Sequence, residues 1–166
     1  MNPYLSILGY QGPNILLFLI FAMLYFQHYT NPNFYLAILI WQIASHLLNV
    51  VIKNTLRLPR PDINNSLSHS PDSIEVPTFS NYLTIHRKYG MPSGHAQAVW
   101  SELVFIALFF KNTRLTALAA GQTLLTMWQR YITRRHSIKQ LAVGSFIGIA
   151  IGYLFYTLLL ATGLTG

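Results

Sequence analysis

Three short stretches of this chain hold the residue types that act on phosphate. The first is Lys53 with Arg60-Pro61, seven positions on. The second is Pro92-Ser93-Gly94-His95. The third is Arg130 with His136, and Gln140 one helical turn later. Phosphoryl transfer asks a protein to neutralise the non-bridging oxygens and to hold the reactants in line. Lys53, Arg60 and Arg130 can supply that charge, the two arginines with bidentate geometry. Ser93 and the Gly94 amide stand just before a helix start, where unpaired N–H groups and the helix dipole favour an anion. Gly94 also lets the backbone approach a ligand closely. A neutral imidazole at His136 can attack phosphorus, and a protonated His95 can protonate the leaving oxygen. Both roles suit a side chain whose unperturbed pKa is about 6.5. Two histidines in opposite protonation states require different neighbours.

The elements that carry these residues are read from composition and apolar runs. Of 166 residues, 52% are hydrophobic and 9% charged, with a mean hydropathy of +0.38. Soluble domains carry about 25% charged residues, so the chain belongs to the membrane class. Its length suits a single domain, residues 1–166. The net charge of +7 does not argue for a nucleic-acid partner, because long uncharged runs separate the charges. There is no cysteine, hence no disulfide, no thiol nucleophile and no thiolate metal site. The first residues lack a basic region, and the first apolar run lacks a clear cleavage site. That run is expected to stay as a membrane helix.

Five apolar stretches follow: Ile15 to Tyr29, Phe34 to Ile52, His95 to Phe110, Leu115 to Trp128, and Leu141 to Ala161. A span needs about 20 apolar residues. The second and fifth meet this; the other three do so only if polar flanks extend them, the alternative being a buried or re-entrant helix. The prediction is an all-α polytopic membrane bundle with about five transmembrane helices. Asn31-Pro32-Asn33 and Lys111-Asn112-Thr113-Arg114 read as tight turns. The one long connection, Asn54 to Pro92, holds Asp62, Asp72 and Glu75 among many prolines, serines and asparagines. It reads as an extramembrane loop, either a lid over the site or a passive linker. Alternating the spans puts all three motif stretches, and the N-terminus, on one membrane face.

These residues resemble the type-2 phosphatidic acid phosphatase (PAP2) superfamily, which also includes vanadium haloperoxidases. The family pattern is Lys-x6-Arg-Pro, then Pro-Ser-Gly-His, then Ser-Arg-x5-His-x3-Asp. The chain matches it at Lys53, Arg60, Pro61, Pro92 to His95, Arg130 and His136. The resemblance implies a phosphohistidine at His136, His95 as the acid, and release by water without metal or cofactor. Gln129 stands where serine precedes the arginine, and Gln140 where the family has aspartate. That aspartate orients the nucleophilic histidine. A glutamine carbonyl can accept the same Nδ1–H bond but adds no charge, so lowered activity, or none, follows on that reading. The wider string Tyr89 to Gln97 is similar to the dolichyl-diphosphatase branch, Tyr-Gly-Met-Pro-Ser-Ser-His-x-Gln, with Gly94 replacing the second serine. On this resemblance Gln140 is a branch feature. The implied reaction converts a polyprenyl (dolichyl-type) diphosphate to the monophosphate plus phosphate, with the tail among membrane lipids. The alternatives are a phosphatidate or other lipid-monophosphate phosphatase, and a non-catalytic lipid-diphosphate binder. A transporter fits less well, because the charges cluster at one face.

Other residues read as structural. Gly144, Gly148 and Gly152 form a small-residue ladder for close helix packing. His46, Asn49 and Lys53 fall on one helical face, the first two as inter-helix hydrogen-bond formers. Glu102, inside a span, is expected to pair with a cation or to tune His95, the structural role being the favoured one. His69 and His86 are expected to be solvated, and Arg134 and Arg135 to meet the anionic membrane surface rather than a diphosphate, the alternative role. No helical His/Glu pair has ligand spacing. Lys53, Arg57, Arg60, Arg87, Lys88, Arg130, Arg134, Arg135 and Lys139 lie on the motif side, against Lys111 and Arg114 opposite. That bias points the site to the cytosol, whereas the resemblance implies a lumenal or periplasmic site. Asn64-Asn65-Ser66 is a glycosylation sequon on the same face.

Overall fold

The computed structural model describes residues 3–61 and 89–164. The described chain is helical: α1 (Pro3–Tyr10), α2 (Gly12–Phe26), α3 (Pro32–Leu56), α4 (Gly94–Phe110), α5 (Thr113–Ile132) and α6 (Ile138–Ala161). The expectations for Asp62, Asp72, Glu75, His69, His86, Arg87, Lys88, the Asn64 sequon and a lid fall outside the described residues.

Polar side chains set where the helices begin. Asn31 caps α3 by accepting from the Asn33 amide at 3.0 Å, with Pro32 in the first turn. Ser93 caps α4, Asn112 caps α5 and Ser137 caps α6. Each side-chain oxygen satisfies an amide that the helix cannot pair internally.

In the first apolar stretch, Ile15 to Phe26 lies within one helix, α2, as expected, but α1 precedes it as a further helix, and the pair is bent by 62°. Pro13 lies in the first turn of α2 and lacks the N–H that a continuous ladder needs. Gly12 lies so close to Thr126 of α5 that a Cβ there would have no room. As a result α1 folds against α5 and carries Tyr10 toward the motif residues.

By length and composition, α3 and α6 are each able to cross a membrane, and the bent pair counts as a third span. At 17 residues, α4 is short for a span. It would reach about 26 Å, against a hydrocarbon core of about 30 Å. Its position explains the tolerance: α4 is the central helix, packed by α6, α5, α2 and α3. α5 carries Arg114, Gln122, Gln129 and Arg130, and it is less apolar than the helices able to cross a membrane.

The closest seam joins α4 to α6. A Cβ on Gly144 would stand 2.6 Å from the Ser93 carbonyl oxygen, and those on Gly148 and Gly152 would overlap the carbonyls of Gln97 and Ser101. The small-residue ladder therefore seats α6 directly on α4 backbone. At the end away from the motifs, aromatic rings fill the core. Trp41 stacks on Phe155 at 4.4 Å, and Phe105 packs on Trp41 at 5.4 Å and on Phe109 at 5.1 Å. Between α3 and α6 an apolar groove of about 420 Å³ remains, lined by Trp41, Leu48, Ile151 and Leu158 among others.

Candidate active site

The motif residues arrive at one end of the bundle from four directions. α3 delivers Lys53 in its last turn, 3% exposed. The chain then leaves the helix through Arg57, in the left-handed region at φ 51, and brings in Arg60. It re-enters at Tyr89, which pairs with Pro59 as an isolated bridge, while the Gly90 amide donates to the Leu58 carbonyl at 2.9 Å. The two ends of the long connection are thus fastened together beside the site.

Ser93 is fully buried, and its hydroxyl accepts from the Ala96 amide at 3.4 Å. Its amide donates to the Gln140 carbonyl at 3.1 Å. Ser93 therefore caps and shapes the turn, and the α4 N-terminus that begins at Gly94 is a helix end of the kind that favours an anion. His95 follows on α4, its ring 5.2 Å from that of Tyr10. Arg130, 2% exposed, lies in the last turn of α5 with its guanidinium 5.7 Å from the Tyr10 ring centre. Gln129, at the position where the family pattern has serine, donates from Nε2 to Ser6 of α1 at 3.4 Å.

His136 lies in the short connection between α5 and α6, 2% exposed, with its amide bonded to the Arg130 carbonyl at 3.3 Å. Its Nδ1 is 2.9 Å from the Gly90 carbonyl oxygen. A carbonyl can only accept, so Nδ1 carries the hydrogen and Nε2 holds the lone pair. Burial holds the His136 pKa well below the usual range. The charges of Arg60, Arg130, Lys53 and His95 push it the same way.

Gln140 is placed differently from the sequence expectation. Its side-chain hydrogen bonds go elsewhere than to the His136 ring. Oε1 accepts from the Ser137 amide at 3.1 Å, the Gln140 amide donates to Ser137 Oγ at 3.3 Å, and Nε2 donates to the Pro59 carbonyl at 2.8 Å. This is a capping box with a third arm that ties α6 to the loop base. The bond expected between Gln140 and Nδ1 is made by the Gly90 main chain instead. His46 also departs: the buried face of α3 runs through Ser45, Asn49 and Lys53, and His46 is exposed. Glu102 is buried and accepts from Gln42 at 3.2 Å. Arg134 is exposed, while the Arg135 carbonyl receives Arg60 Nη1 at 3.5 Å. Tyr10 and Gly90 were not foreseen. Tyr10, in the string Gly9-Tyr10-Gln11-Gly12, precedes the first apolar stretch, and a carbonyl leaves no mark in residue type.

Residues 33–163 match the PAP2 superfamily. The chain belongs to this superfamily. It is also 26% identical over 136 residues to dolichyldiphosphatase 1 of Dictyostelium discoideum, covering 73% of this chain and 50% of that protein. The chain thus spans about half the length of this relative. No solved structure matches it. The PAP2 match covers α3 to α6 and every motif residue named above. Tyr10 lies before it, so the contacts of α1 with His95 and Arg130 are features of this chain outside the matched region.

The environment of His136 predicts acid sensitivity. The unfolded chain takes up the His136 proton at a pKa of about 6.5, and the folded chain does so only at lower pH. Between those values the unfolded state holds more protons, so stability falls as pH falls, by at most about 1.4 kcal/mol per unit. Thermal unfolding of detergent-solubilised protein between pH 7.5 and 5.5 should show a steeper loss for wild type than for His136→Asn. Equal slopes would mean that His136 does not enter the fold uncharged.

Proposed function

We propose that this PAP2 superfamily membrane protein is a lipid phosphatase whose substrate is a polyprenyl diphosphate. The observation that carries the reading is the His136 imidazole. Its Nδ1–H is held by the Gly90 carbonyl, so the Nε2 lone pair is available among Lys53, Arg60 and Arg130. In the proposed reaction Nε2 attacks the terminal phosphorus. The N–P bond forms as the bond to the bridging oxygen breaks, and His95 gives its proton to the departing lipid monophosphate. The three cations and the α4 N-terminus take the charge on the non-bridging oxygens. His95 then accepts a proton from the water that attacks the phosphohistidine. Inorganic phosphate leaves, and Nε2 recovers its lone pair.

The diphosphate preference is supported by the similarity to a dolichyldiphosphatase. Its test is phosphate release by detergent-purified protein with EDTA present, comparing a polyprenyl diphosphate with phosphatidate. Release favouring the diphosphate supports the reading. Preference for phosphatidate moves the substrate to a lipid monoester, and no release from either by folded protein leaves a binder. The proposed placement of the site is lumenal or periplasmic, despite the basic bias of that face.

A further inference from the structure

The half of α3 that ends at the site has no apolar anchor. The buried residues of α3 are Phe34, Ile38, Trp41, Ser45, Asn49 and Lys53. The first three pack into the core, with Trp41 against Phe105 and Phe155. The last three are polar. Between them Leu47, Leu48 and Val51 are exposed. α3 packs mainly on α4, and beside α6 the apolar groove leaves it uncovered. Apolar burial therefore fixes the far half of α3 and contributes little where Lys53 has to be placed.

Polar bonds take over there, and they converge on Gln97. Gln97 is 1% exposed, one residue beyond the Pro92 to Ala96 stretch. Its Nε2 donates to the Ser45 carbonyl at 2.7 Å and to Ser45 Oγ at 3.0 Å. Its Oε1 accepts from Asn49 Nδ2 at 2.8 Å. Both donor hydrogens and the acceptor are thus engaged, and all on successive turns of one face of α3. Asn49 is one turn before Lys53. A Cβ placed on Gly94 would stand 3.2 Å from Asn49 Oδ1, so this turn of α3 already touches the α4 N-terminus. On its other side, the Gln97 backbone is the surface on which Gly148 of α6 rests.

We propose that Gln97 is the positioning residue for Lys53: it clasps Ser45 and Asn49, and so sets the depth and rotation at which α3 presents the Lys53 ammonium to the phosphate site. Gln97 acts through Lys53 and does not itself touch the reacting atoms. The proposal rests on the reading of Lys53, Arg60, Arg130 and His136 as a phosphate site. It explains why a side chain with both donor and acceptor is needed here. An apolar residue of the same length could fill the space, but it could not fix the register of two helices that share little apolar surface.

The test is a double-mutant cycle. Gln97→Met keeps the volume and removes the clasp. Displacing a binding cation by about 1 Å costs up to about a hundredfold, so kcat/KM should fall about tenfold to a hundredfold, with thermal unfolding still cooperative. In a Lys53→Ala background, Gln97→Met should then cost no more than about twofold, because the residue it positions is gone. The same loss in both backgrounds, or no loss in either, overturns the proposal. If Gln97→Met does not fold, Asn49→Leu removes only one of the bonds and runs the same cycle. Inorganic phosphate affinity, measured by calorimetry on the same four proteins, separates the two claims. Coupling in phosphate binding without turnover supports the clasp and rejects the enzyme. Turnover without coupling does the reverse. Absence of both phosphate binding and turnover removes both.

Discussion

His136→Ala is expected to lower phosphate release by at least about a thousandfold, equivalent to about 4 kcal/mol of transition-state stabilisation. The substitution removes the atom proposed to form the bond to phosphorus. It leaves Lys53, Arg60 and Arg130 in place, so inorganic phosphate affinity should change by less than about tenfold. The split between turnover and binding is the informative part. A fold defect would damage both, and loss of a charge-binding group would damage affinity first. Single-turnover phosphate release from a polyprenyl diphosphate, run beside calorimetry with inorganic phosphate, reads the two together. Release that survives within tenfold would remove His136 from the mechanism.

The largest effect on stability is expected at Gly148. A side chain there meets the main-chain carbonyl of Gln97, which cannot rotate away as a side chain could. Gly148→Leu must therefore lift α6 from α4 along their whole seam. A loss above about 4 kcal/mol is expected, at the extreme of single substitutions, seen as little folded protein on gel filtration. The control is Gly121→Ala on α5, where nothing lies within 4 Å. There helix propensity should raise stability by about 0.5–1 kcal/mol. A Gly148→Leu protein that melts like wild type would show that the seam is looser than its geometry implies. The seam also bears on the site, because Gly144 rests on Ser93 one turn away. Gly144 thus seats the turn that leads into His95, and Gly148 holds the next turn of the same seam.

The motif residues were legible because their types are rare in a membrane chain. Cations and histidines at the ends of apolar runs stand out, and helix alternation alone brings Lys53, His95, Arg130 and His136 to one face. The glycine ladder was legible from its spacing of four. The bent α1–α2 pair was not: Pro13 marks a helix start, but the fit between Gly12 and Thr126 that folds α1 back is visible only in three dimensions. The face of α3 was read correctly at Asn49 and Lys53 and missed only at His46. His46, Asn49 and Lys53 satisfy a helical repeat, but packing on α4 selects Ser45. Gln140 shows the sharper limit. Its place in the motif suggested a partner for His136, and its amide chemistry allowed one. The competing demands of the Ser137 cap and the Pro59 carbonyl are visible only in three dimensions.

The Gly90 carbonyl beside His136 changes what the missing aspartate means. A carboxylate partner belongs to one side chain and can be deleted by one substitution. A main-chain partner belongs to the path of the chain, and here that path is held by the pairing of Leu58 and Pro59 with Tyr89 and Gly90. The imidazole tautomer is therefore inherited from how a loop closes. Its protection is distributed: any residue that keeps the strap closed preserves it, and any that opens the strap frees Nδ1 from several residues away. A substitution scan of this protein would find no single side chain that answers for the histidine, only a neighbourhood that does.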